Sequence, residues 1–235
     1  MSTAANAPRR GRQLAGLVRK DLRLELRTKE TVVAMVLFAV ATLAIMQFGF
    51  GTRDDDLTRF TGGLMWVTLA FTAVLGVGRS YVAEREQRVL DGLLVSPVPR
   101  TVLLAAKAIA IVIFMAITEV VVIPLVGIFF VKGPYWEHIG WIALVALIAD
   151  VCIALSGTLF SGLALFTRAR DLILPVLFLP ALVPVVIAAA GATHAVIAGG
   201  PNDMTDYRGY CLFLVGYAIL FLLVSVATYD AVFDD

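Results

Sequence analysis

The sequence predicts an all-α integral membrane protein with six transmembrane helices, on three observations. First, 60% of the 235 residues are hydrophobic, only 16% are charged, and the mean hydropathy is +0.91, which excludes a soluble domain. Second, the apolar residues gather into runs of roughly 20, long enough to cross about 30 Å of hydrocarbon as helix. Third, Lys and Arg crowd into alternate connections, as they do on the cytoplasmic side of a multi-pass protein.

Residues 1–30 read as a cytoplasmic tail and an interfacial amphipathic helix. From Arg9 to Glu30, Leu14, Leu17, Val18, Leu22 and Leu26 recur at helical spacing among Arg19, Lys20, Arg23 and Arg27. A basic face of this kind suits anionic headgroups. The start resembles a signal peptide, but the following apolar run is too long and no small-residue cleavage site precedes a polar domain, so no cleavage is expected. Residues 31–235 form the six-span domain, with spans predicted at Thr31–Phe50, Phe60–Gly78, Val102–Val131, Ile139–Phe166, Leu172–Thr193 and Tyr210–Thr228.

Pro124 is a candidate kink in the third span. The fifth carries Pro175, Pro180 and Pro184, whose freed carbonyls need neighbouring helices, which places that span inside the bundle. Ala154, Thr158 and Gly162, four apart in the fourth span, make a small face suited to close helix packing. The loop from His194 to Gly209 carries the turn residues Gly199, Gly200, Pro201, Asn202 and Asp203.

Between the second and third spans lies a charged stretch, Tyr81 to Thr101. Glu84, Arg85, Glu86, Arg88, Asp91 and Arg100 alternate with Val82, Leu90, Leu93 and Leu94, predicting a short amphipathic helix over 81–96 that Pro97 and Pro99 terminate. Periodicity alone leaves two roles open for it: contact with a soluble partner, or a helix lying on lipid.

Orientation follows from charge. Eight Lys or Arg lie between Arg9 and Lys29, four between Arg79 and Arg100, and two more at Arg168 and Arg170, fourteen in all; the opposite side has Arg53, Arg59, Lys132 and Arg208. Both termini and the 81–96 helix are therefore predicted to be cytoplasmic.

Chemistry-bearing motifs are sparse. There is no GxxxxGK[ST] phosphate cradle and no HExxH zinc motif. His138 and His194 fall at span ends with no metal-site spacing, and Cys152 and Cys211 sit apart in apolar runs as small buried hydrophobes. No directly bound cofactor or metal is expected, and nothing points to nucleic acid; the lipid bilayer is the expected surrounding. Ser156 and Ser161 raise an intramembrane hydrolase as a distant rival, but neither histidine is placed to serve them. Glu119 and Asp150 are acids inside the third and fourth spans. Such groups face a bundle interior, a cavity or a partner, and structural and functional roles for them stand equally open.

The order of elements resembles the permease subunits of ABC-2-type exporters. Glu84, Glu86, Leu90, Leu93, Leu94, Ser96, Pro97 and Lys107 match that superfamily's E-x-E…L-x-x-L-L-x-S-P…K pattern. A narrower resemblance covers Leu17 to Tyr229. The stretches LVRKDLRLELRTKE, VLDGLLVSPVPRTVLLAAK and SGTLFSGLALFTRARDLILPVLFLPALVPVVIAA are similar to the CcmB family, the haem exporter B subunit of cytochrome c maturation. The resemblance implies a non-enzymatic permease of the cytoplasmic (inner) membrane that works with a CcmA-type ATPase and a CcmC-type haem-handling subunit. These act on a CcmE-type haem chaperone. ATP would be used by the partner, and haem handled by the complex. Glu84, Arg85, Glu86, Arg88, Leu90, Leu93, Leu94 and Pro97 would form the ATPase-coupling helix. The rival within transport is a general ABC-2 exporter of lipid, drug or polysaccharide.

Overall fold

The computed structural model describes residues 10–50, 57–86, 100–131, 134–164, 170–198 and 203–232. Among them are seven α-helices and no strand: α1 (Arg10–Thr28), α2 (Glu30–Phe50), α3 (Leu57–Glu86), α4 (Arg100–Phe130), α5 (Ile139–Ala164), α6 (Arg170–Ala198) and α7 (Asp203–Val232). A 3-10 turn, Pro134–His138, precedes α5. The six helices α2 to α7 are each long and apolar enough to cross a membrane.

The joint between α1 and α2 is built from Glu25 and Lys29. Lys29 takes the left-handed conformation, with φ 56°, which ends α1 at a single residue. Its N–H donates to Glu25 O at 2.6 Å, and the Glu25 carboxylate accepts the otherwise orphaned Val32 N–H at 2.8 Å. One side chain therefore satisfies the start of the second helix from the end of the first.

Core and periphery divide clearly. The helix α3 packs on α4, α5 and α6, and α5 on α4 and α6, with α2 set against α3 and α4, and α7 against α5 and α6. Met35, Ala39 and Leu43 form the buried stripe of α2, while Leu37, Ile45 and Phe48 face outward. Trp66 is wholly buried, and its Nε1–H donates to Thr193 Oγ1 at 2.9 Å, joining α3 to α6. At Gly62 the two helices approach so closely that a Cβ would lie 2.8 Å from Ala190 O. Ala154, Thr158 and Gly162 are all buried, as a packing face requires.

Four sequence expectations need correction. The second span is expected to end at Gly78 and a separate helix to start at Tyr81; α3 instead runs unbroken from Leu57 to Glu86. No proline separates them, and RSYVAERE is compatible with helix throughout. The first half of the His194–Gly209 loop is likewise helix, because α6 continues to Ala198, and α7 already begins at Asp203. Hydropathy marks where a segment becomes apolar, not where its hydrogen-bond ladder starts. Finally, α6 is not enclosed: one face packs on α3, α5 and α7, but Val176, Leu177, Val183 and Ile187 are exposed. Its three prolines leave the helix unbroken over 29 residues.

Candidate functional site

Two places in the bundle concentrate polar chemistry. The first lies where α1 meets α4. Asp21 is 8% exposed and Lys107 4%, and Lys107 Nζ lies 3.3 Å from Asp21 Oδ2. The other carboxylate oxygen lies 3.1 Å from Lys20 Nζ, so one acid bridges a buried and a half-exposed ammonium. Lys107 stands two turns into α4, the helix that follows the stretch expected to contact an ATPase. The ion pair thus fastens the N-terminal helix to the start of that span. Asp21 escaped the sequence reading, although a signal was present: it follows Leu14, Leu17 and Val18 by seven, four and three residues, and therefore shares their apolar face.

Of the residues expected to form the coupling helix, Glu84, Arg85 and Glu86 occupy the last turns of α3. Arg88, Leu90, Leu93, Leu94 and Pro97 lie outside the described residues.

The second place is the middle of the bundle. Glu119 on α4 is 5% exposed and Asp150 on α5 is fully buried, and the two carboxyls face one another across the packed pair of helices. Among the described residues, no donor satisfies Glu119 Oε1 or either oxygen of Asp150. The nearest donors in sequence are directed elsewhere: Thr118 Oγ1 donates to Phe114 O, Cys152 Sγ to Leu214 O, and Ser156 Oγ to Cys152 O. Sequence placed both acids within spans; that they meet is visible only once α4 and α5 are packed antiparallel.

Among the described residues, no group of three or more His, Cys, Asp or Glu is arranged to hold a metal ion. His194 is exposed near the end of α6, and the Ser156 hydroxyl is committed to its own helix, so neither supports the hydrolase reading. Around the predicted outer end, aromatic side chains lock the turns. Tyr135 OH donates to Ile123 O at 2.9 Å, its ring covering Gly127, and Tyr207 OH donates to Trp141 O at 3.1 Å. A lateral groove of about 600 Å³ opens between α6 and α7, floored by Pro184, Ile187, Ala188 and Phe213.

Comparison with known proteins extends this picture over nearly the whole chain. Residues 12–233 match the model of the family described as CcmB protein. The chain is similar to heme exporter protein B of Bradyrhizobium diazoefficiens, with 28% identity over 186 residues, covering 79% of this chain and 83% of that protein. It is similar to the protein of the same name from Rhodobacter capsulatus, at 25% over 178 residues (75% and 80%). The Pseudomonas aeruginosa protein of that name is 24% identical over 209 residues, covering 89% and 91%.

Proposed function

The chain belongs to the CcmB family, and from that premise we propose that it is the permease subunit of an ABC transporter complex serving cytochrome c maturation, acting in haem export. The observation that carries the reading is the family match from residue 12 to residue 233, together with relatives named heme exporter protein B that align over most of their length. In this reading the protein resides in the cytoplasmic membrane with both termini inside. It binds no nucleotide itself and couples ATP hydrolysis in a CcmA-type ATPase to rearrangement of the spans. A CcmC-type subunit completes the complex, which releases the haem-loaded CcmE-type chaperone. The extension of α3 to Glu86 and the fastening of α1 to α4 at Lys107 support a mechanical role for this end of the bundle.

The coupling residues give the test. If Leu90, Leu93 and Leu94 fill an ATPase groove, Leu93→Asp buries a charge in that interface, and losing such an anchor costs about 2 kcal/mol or more. That is roughly a thirtyfold loss of affinity. Leu93→Asp is expected to accumulate in the membrane yet fail to co-purify with the ATPase, with cytochrome c maturation lost. Charge reversal at Arg85 or Arg88 is expected to be milder and salt-sensitive. Intact ATPase binding by Leu93→Asp would instead assign the helix to the lipid surface.

A further inference from the structure

The Glu119–Asp150 pair poses a hydrogen-bonding problem that no group among the described residues solves. Ionised carboxylates only accept hydrogen bonds. Here two of them face each other, one on α4 and one on α5, with three oxygens unsatisfied and the adjacent hydroxyls and thiol already donating to backbone carbonyls. Counted along the helices, each acid lies eleven residues from its helix end, Phe130 or Ile139, roughly 16 Å deep at 1.5 Å per residue. That is near the centre of a hydrocarbon layer about 30 Å thick, where a pair of like charges is most costly.

The charged and titratable groups on the surrounding helices do not relieve them. Between Phe60 and Gly78, α3 carries none, and Arg79 is exposed at its far end. The span part of α2 carries none beyond Glu30 at its first turn. On α6 the only such group from Leu174 to Ala198 is the exposed His194. On α7, Tyr217 OH donates to Ala181 O, and Cys211 neighbours Tyr207. On α4 itself, Lys107 is twelve residues away and engaged with Asp21 of α1. Cys152, next to Asp150 on α5, donates to Leu214 O. A hard metal ion would demand about six oxygen ligands, and no third acid, histidine or cysteine joins the pair among the described residues. A proton demands only these two: it turns one carboxyl into an O–H donor to the other.

We propose that Glu119 and Asp150 form a proton-binding site at the centre of the bundle, in which a proton taken from water is held between the two carboxyls and latches α4 to α5. Returning it to water leaves two carboxylates opposed across the same contact and loosens the helix pair. The inference is independent of which molecule the complex moves.

Infrared difference spectroscopy of the full-length protein in lipid nanodiscs tests it through the C=O stretch of a protonated carboxyl. The wild type is expected to retain that band at neutral pH, and the double variant Glu119→Gln/Asp150→Asn to lack it. Where the double variant fails to accumulate, either single variant, Glu119→Gln or Asp150→Asn, is expected to shift or weaken the band. As alkali removes the wild-type band, amide hydrogen exchange around residues 119 and 150 should accelerate relative to α3 and α6. No band at neutral pH, or a band unchanged by these substitutions, would overturn the site. Exchange that keeps pace with α3 and α6 while the band disappears would overturn the latch.

Discussion

A carboxylate on the apolar face of an amphipathic helix is costly unless something waits for it, and for Asp21 that partner is Lys107 on α4. Replacing it with leucine removes the anion facing a buried ammonium. Asp21→Leu is therefore expected to destabilise the protein by about 3 kcal/mol. The double variant Asp21→Leu/Lys107→Met is expected to recover most of the loss, since an apolar pair can replace a buried ion pair. Thermal unfolding of the purified variants measures both. Position 21 also shows the limit of reading residues singly. Helical register places Asp21 among leucines, but its partner lies 86 positions along the chain, and no local pattern names it. The same holds for Glu119 and Asp150, each legible as an intramembrane acid, while their meeting depends on how two helices pack.

Helices rather than single contacts set how closely the core can close. Two adjacent glycines on α3 differ sharply: a Cβ at Gly62 would stand 2.8 Å from the backbone oxygen of Ala190, whereas at Gly63 it would meet nothing within 4 Å. Backbone cannot give way as a flexible side chain can. Gly62→Ala is thus expected to force α3 from α6 at a cost of about 2 kcal/mol, and Gly63→Ala to be close to neutral. Membrane abundance and detergent stability of the two variants, compared side by side, check this. The existence of every span was legible in the sequence because each exceeds the length a bilayer demands. Their ends were less so: α7 starts seven residues before the predicted span, and α3 continues eight residues past its predicted end at Gly78. In both cases polar residues extend a helix beyond its apolar part, before it in α7 and after it in α3.

Across the whole molecule, the charge asymmetry predicts the orientation, while burial sorts the helices. In a variant lacking Cys152 and Cys211, cysteines placed at Arg85 and Arg168 are expected to resist an impermeant thiol reagent added outside sealed cells, and one at Asn202 to react. Labelling at Arg85 would invert the topology. Which helices form the centre was not legible, because lipid and protein core are equally apolar solvents for a leucine. The outward faces of α2 and α7 are as hydrophobic as the buried faces of α4 and α5. Prolines misled for the same reason: the exposed Val176 and Val183 show that a proline-bearing helix can keep one side outside the bundle.

The continuity of α3 has a mechanical consequence. Thirty residues of helix make a rod about 45 Å long, and its ladder passes from the buried Trp66 to Glu86 without a joint. A flexible link between span and extension would pass on only a pull. An unbroken helix also resists twisting, so a rotation imposed at Glu86 arrives at Trp66 as a rotation. The bond from Trp66 to Thr193 then carries that turn into α6. A rotation imposed on the extended end of α3 is therefore expected to reach the core as torque.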